Sequence, residues 1–168
     1  SLLLYLKDYL QKAAPLIAPA VEAQGPDGDA GEGLDGRLRT LLAYNDLELR
    51  FSPEQRRHLI VALDTLTLID PACGSGAFPM GALQKLVYLL GRLDPGNHGW
   101  KARQIARAQR IEDAMAREAA VESIEEAFER NDLDYGRKLF LIENGIYGVD
   151  IQPIAVQIAK LRCVPRDL

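Results

Sequence analysis

The stretch LIDPACGSGAF, Leu68–Phe78, decides how the rest of the chain is read. Leu66, Thr67, Leu68 and Ile69 are apolar or β-branched and run straight into Asp70 and Pro71. A short apolar run halted by proline predicts a brief buried strand over residues 66–70. Gly74 and Gly76 flank Ser75, and their missing side chains let a ligand meet the backbone. A helical pattern follows, GAFPMGALQKLVYLLG, with Phe78, Ala82, Leu86 and Leu90 expected on one stripe and Gly91 as the expected stop. The first amides of such a helix would face whatever occupies the turn.

A second strand is expected over Ile146–Asp150, in NGIYGVD, followed by a helix in QPIAVQIAKLR with Pro153 in its first turn. Strand, helix, strand, helix implies two parallel strands joined by a right-handed crossover. In open α/β sheets ligands lie beyond the carboxyl ends of the strands. Both expected ends carry a carboxylate, Asp70 and Asp150. Asp70 suits an ammonium or hydroxyl group, and Asp150 suits a ribose diol, which offers two donors to one carboxylate.

Three ligands compete for such a turn. A dinucleotide asks for a third glycine, where Pro79 stands, and for an acid at a strand end about 20 residues on, where Asp94 falls in a turn. A nucleoside triphosphate asks for Lys followed by Ser or Thr, and none follows. A phosphate-free cationic nucleoside such as S-adenosylmethionine fits acidic strand ends best. The remaining alternative is a plain tight turn with both carboxylates acting as caps.

The 168 residues suit one domain or a piece of a larger protein. With 48% hydrophobic and 26% charged residues, the composition is that of a globular domain. The net charge of −4 does not favour non-specific nucleic-acid binding, although a local basic groove stays compatible with it. Cys73 and Cys163 show no metal or disulfide spacing, so reduced thiols in a cytoplasmic protein are expected, with no metal. No apolar run reaches the roughly 18 residues of a membrane span. The opening SLLLYLKDYL has neither the basic start nor the cleavage site of a signal peptide. It does not begin with Met, so a processed product or an excised piece is expected.

Before the first strand, Leu2, Leu3, Leu6 and Leu10 predict a helix over about residues 2–13, interrupted by Pro15 and Pro19. Residues 24–36, QGPDGDAGEGLDG, read as a glycine-rich loop. Counted from Asp27, the sixth position is Glu32, where a calcium loop needs glycine. RLRTLLAYND predicts a helix starting near Asp35 or Gly36. SPEQRRHLIVALDTL predicts another, with Ser52 as N-cap, Pro53 at the first position and Gln55 completing a capping box. His58 is expected to be a surface or packing residue. Residues 100–130 predict one or two amphipathic helices, whose basic part (Lys101, Arg103, Arg107, Arg110) is either a solvated face or a phosphate contact.

DPACGSGAF, Asp70–Phe78, resembles the cofactor motif of N6-adenine DNA methyltransferases. ENGIYGVDIQPIAVQIAKLR, Glu143–Arg162, resembles the second cofactor segment of a narrower group, the large single-chain enzymes of BREX phage defence and Type II restriction–modification. The likeness runs from about Thr67 to Arg162 and is weak before Leu66. It implies an α/β chain holding part of a Rossmann-like class I methyltransferase fold, mostly helical, with about two parallel strands. The domain reading is then an N-terminal helical region over 1–65 and a partial cofactor domain over 66–168, with a helical insertion at about 98–138. That insertion accounts for the long interval between Asp70 and Asp150.

The resemblance implies S-adenosylmethionine as cofactor. Asp70 would face its amino group, and Ala72, Cys73, Gly74, Ser75 and Gly76 would line its methionine and ribose. Phe78 would pack beside it, Asp150 would hold the ribose hydroxyls and Ile151 would lie on the adenine. Cys73 would be a packing residue. Members of the group carry a downstream Asn-Pro-Pro-Tyr or Phe that receives a flipped adenine. Here Asn45, Asn97, Asn131 and Asn144 precede Asp, His, Asp and Gly, so no catalytic residue is expected in this chain. The expectation is the front part of a methyltransferase, inactive alone, whose missing C-terminal part would meet double-stranded DNA. Two other readings stand beside it: a non-catalytic helical module that binds protein or itself through open sheet edges, and a methyltransferase acting on something other than DNA.

Overall fold

A computed structural model of the chain describes residues 2–17, 33–129 and 133–163. It divides into two compact units, Ser1–Asp64 and Thr65–Leu168.

The first unit is helical: α1 (Leu2–Ile17), α2 (Leu34–Leu42) and α3 (Pro53–Asp64). Leu6 and Leu10 of α1 are buried together with Leu38 and Leu41 of α2 and Leu59, Ile60 and Leu63 of α3. Burying each such side chain contributes about 1.5–3 kcal/mol. The α3 capping box forms as expected. Ser52 Oγ accepts from the Gln55 amide at 3.1 Å, and Gln55 Oε1 accepts from the Ser52 amide at 3.0 Å. The α1 helix runs through Pro15 instead of stopping before it. A proline so near the C-terminus removes only one late intrahelical bond, and the buried leucines lie earlier. The α2 helix begins at Leu34, so residues 34–36 are helical rather than loop. Asp35 in its first turn is paired with Lys7 at 3.0 Å and Arg39 at 2.9 Å. The rest of the glycine-rich stretch, up to residue 32, lies outside the described residues.

The second unit contains β1 (Leu68–Asp70), α4 (Ala77–Leu93), α5 (His98–Ala108), α6 (Ala114–Glu129), α7 (Leu133–Gly145), β2 (Ile146–Gly148) and α8 (Pro153–Cys163). β1 and β2 pair in parallel, with Leu68 opposite Ile146, Ile69 opposite Tyr147 and Asp70 opposite Gly148. Among the described residues this is a mostly helical α/β architecture with two parallel strands. Both strands are shorter than their sequence suggests. Backbone bonds nevertheless continue beyond them, from the Val149 amide to Asp70 C=O at 2.9 Å and from the Cys73 amide to Val149 C=O at 3.0 Å.

The α4 helix makes most of the core of this unit. Leu83, Leu86, Leu90 and Leu93 are buried, while Phe78 is 62% exposed. The stripe expected through Phe78 follows steps of four residues only. At 100° per residue, Phe78 and Leu90 then lie about 120° apart around the helix. The covered face instead alternates steps of three and four. Gly91 is exposed inside the helix, which continues until Leu93 is buried. β1 is not the buried strand its sequence suggests, because Ile69 is 66% exposed.

The helices between the strands are tied down by a polar cluster. Buried Asp94 accepts from the Gly99 and Trp100 amides at 2.9 Å each, capping the start of α5. Arg137 of α7, whose side chain is only 3% exposed, lies 3.4 Å from Asp94 and donates to Asn97 Oδ1 at 2.6 Å. No helix among the described residues is long and apolar enough to cross a membrane.

Candidate functional site

The turn between β1 and α4 is built by glycine geometry. Gly74 has φ +52° and Gly76 has φ +82°, both in the left-handed region. A side chain on Gly76 would also meet Ala159 of α8, at 3.0 Å from its Cβ and 3.1 Å from its Cα. Gly148 is bare for a similar reason, since a Cβ there would lie 2.9 Å from Cys73 Sγ. Cys73 is accordingly a buried packing thiol beneath the turn.

The two carboxylates reach this turn from the two strand ends. Asp70 Oδ1 accepts from the Ala72 amide at 3.2 Å. Asp150 Oδ2 accepts from the Gly74 amide at 2.9 Å, across 76 residues of sequence, and its Oδ1 accepts from the Gln152 amide at 2.8 Å. Those two amides, Gln152 first and Gly74 second, hold the Asp150 carboxyl below the usual carboxylate range, outweighing desolvation. Asp150 is therefore both an anion at the rim and the tether that closes the turn.

The donors left over matter for binding. Ala77 and Phe78 open α4, where backbone amides have no intrahelical acceptor. Each carboxylate oxygen that takes one amide keeps capacity for a second donor. Phe78 is exposed, and Ile151 is 96% exposed, so both offer bare apolar surface next to the polar turn. Asp70, Ala72, Cys73, Gly74, Ser75, Gly76 and Asp150 thus converge within one hydrogen-bonded turn, with Phe78 and Ile151 as its immediate neighbours in sequence. No group of three or more His, Cys, Asp or Glu among the described residues could hold a metal.

Contacts from α8 add residues that sequence reasoning did not single out. Arg162 Nη1 donates to Ser75 Oγ at 3.3 Å, and Ala159 sits on Gly76. Cys163 in the same turn of helix has its thiol pushed up, by burial first and by neighbouring Cys73 second. In sequence, Arg162 is indistinguishable from any basic residue in a last helical turn.

Comparison with known proteins gives one distant likeness. A protein of Methanocaldococcus jannaschii named "Putative type II restriction enzyme and methyltransferase" is 31% identical over 112 residues. The aligned region covers 64% of this chain, and this chain spans about 7% of the length of that relative. No family model matches the chain, and no solved structure matches it. The chain is therefore distantly similar to a protein named for restriction and methylation.

Proposed function

We propose that this chain is the cofactor-binding front part of an S-adenosylmethionine-dependent DNA methyltransferase of the restriction–modification type, acting on adenine N6 in the whole protein. The observation that carries the reading is the convergence of Asp70, Asp150 and the Gly74–Gly76 turn beyond one end of the parallel strand pair. The distant likeness to a named restriction enzyme and methyltransferase supports it.

The residues fit the group. Acids at both strand ends favour an ammonium and a ribose diol and oppose a triphosphate. The first amides of α4, at Ala77 and Phe78, suit oxygen acceptors on the same ligand. Phe78 and Ile151 suit the flat face of a purine. When bound, S-adenosylmethionine supplies an electrophilic methyl group. The chain's own part is to orient: Asp70 for the amino group, Asp150 for the ribose hydroxyls, the turn for the linking atoms.

Equilibrium dialysis of the 168-residue chain tests the cofactor assignment. S-adenosylmethionine should bind better than ATP or NAD, and Asp150→Ala should weaken it about 10-fold or more. Equal affinity for ATP would overturn the assignment. With no Asn-Pro-Pro-Tyr or Phe in the chain, incubation with duplex DNA and labelled methyl donor should give no incorporation. Robust methylation by this chain would refute its place as a cofactor part only.

A second reading, a module that associates through its surface, is favoured by the exposure of Ile69, Tyr147, Val149, Ile154, Ile158 and Leu161. A concentration-independent monomer in sedimentation would exclude it.

A further inference from the structure

Arg162 brings a cation to the glycine turn. Its guanidinium is tethered to Ser75 in the middle of the glycine turn, at 3.3 Å. Among the described residues it forms only that one bond, and none of their carboxylates pairs with it. Guanidinium carries five donors in a planar fork that matches a carboxylate. The acids at the strand ends serve an ammonium and hydroxyls, yet an amino-acid-bearing nucleoside is a zwitterion at that end. Its carboxylate would meet Asp70 and Asp150 with repulsion unless a positive group stands in the same turn. Among the described residues, Arg162 is the cation hydrogen-bonded to that turn.

We propose that Arg162 is a specificity residue that reads the carboxylate of the ligand's amino-acid end, with Ser75 orienting the guanidinium. The assignment rests on the S-adenosylmethionine reading of the pocket and adds to it a way of distinguishing zwitterionic from purely cationic ligands. Arg162 acts by contact with the ligand and takes no part in methyl transfer. The packing of Ala159 against Gly76 fixes the last turns of α8 on the glycine turn, which sets where Arg162 can reach.

The test pairs two ligands with three proteins. Binding of S-adenosylmethionine and of decarboxylated S-adenosylmethionine is measured by equilibrium dialysis on the full chain, Arg162→Gln and Arg162→Lys. The second ligand keeps the sulfonium and the ammonium and lacks the carboxylate. Arg162→Gln should weaken S-adenosylmethionine about 5- to 10-fold and change the decarboxylated ligand by less than about 2-fold. Arg162→Lys should fall between, because a point charge replaces the fork. Unchanged thermal unfolding of both variants establishes that the fold is intact. A Ser75→Ala variant, which removes the tether, should show the same discrimination at smaller size. Equal losses for both ligands, or no loss for either, would overturn the role of Arg162 while leaving the pocket. Failure of the unsubstituted chain to bind either ligand better than ATP would overturn the pocket itself, and Arg162 with it.

Discussion

Gly74 and Gly76 share a left-handed backbone but differ in what surrounds them, which separates two costs. A Cβ on Gly74 meets nothing within 4 Å, so Gly74→Ala should cost only the backbone penalty, about 1–2 kcal/mol. A Cβ on Gly76 also presses on the backbone of Ala159, so Gly76→Ala should cost roughly 2–4 kcal/mol. Urea unfolding of the two variants measures the difference, and equal losses would refute the contact with α8. Asp150 gives the pH counterpart. Its folded-state pKa is depressed, so the tether is fully present above the ordinary carboxylate range and is lost as pH falls through the lowered value. Hydrogen exchange of the Gly74 and Gln152 amides should therefore accelerate in acid below about pH 4, beyond the intrinsic trend. In Asp150→Asn the acid-induced change should disappear.

At the scale of elements, the insertion between the strands hangs on Asp94. It caps α5 through two amides and meets Arg137 of α7 in a buried setting. Removing one partner of such a pair leaves a charge without compensation, so Asp94→Ala should cost about 3–5 kcal/mol. Asp94→Asn keeps one amide acceptor and should cost less. Thermal unfolding of the two variants checks the order. The elements also mark what sequence can and cannot disclose. The end of β1 at Asp70, the capping box at Ser52 and the glycine turn are legible because proline, glycine and cap residues act locally. The covered face of α4 is not legible. Periodicity reveals rows of apolar residues, but only packing decides that Leu83 and Leu93 lie under neighbours while Phe78 does not. The role of Asp150 as a tether is hidden for a related reason, since its partner Gly74 lies 76 residues away. Arg162 is hidden in the same way, beside a serine on a different element.

At the scale of the molecule, the second unit carries much open apolar surface. Ile69 and Tyr147 are cross-strand partners on one sheet face and are both exposed. Ile154, Ile158 and Leu161 recur at helical spacing on α8 and are exposed too. Bare surface of this kind promotes association. Sedimentation of the chain should show mass increasing with concentration, and Tyr147→Lys combined with Ile158→Lys should reduce it. An unchanged profile in the double variant would assign the association to another surface.

The absence of a side chain at Gly148 has a practical consequence. It allows the Cys73 thiol to sit against the strand, shut beneath the turn that Asp150 closes. A thiol in that position works as a clock. A small alkylating reagent can reach it only while the turn is open, so the rate of its modification reads how often opening occurs. Cys163, nearer the surface, reacts beside it in the same molecule. A ligand that settles in the turn should slow the first reaction, and it can be sought by that signal before any catalytic assay exists.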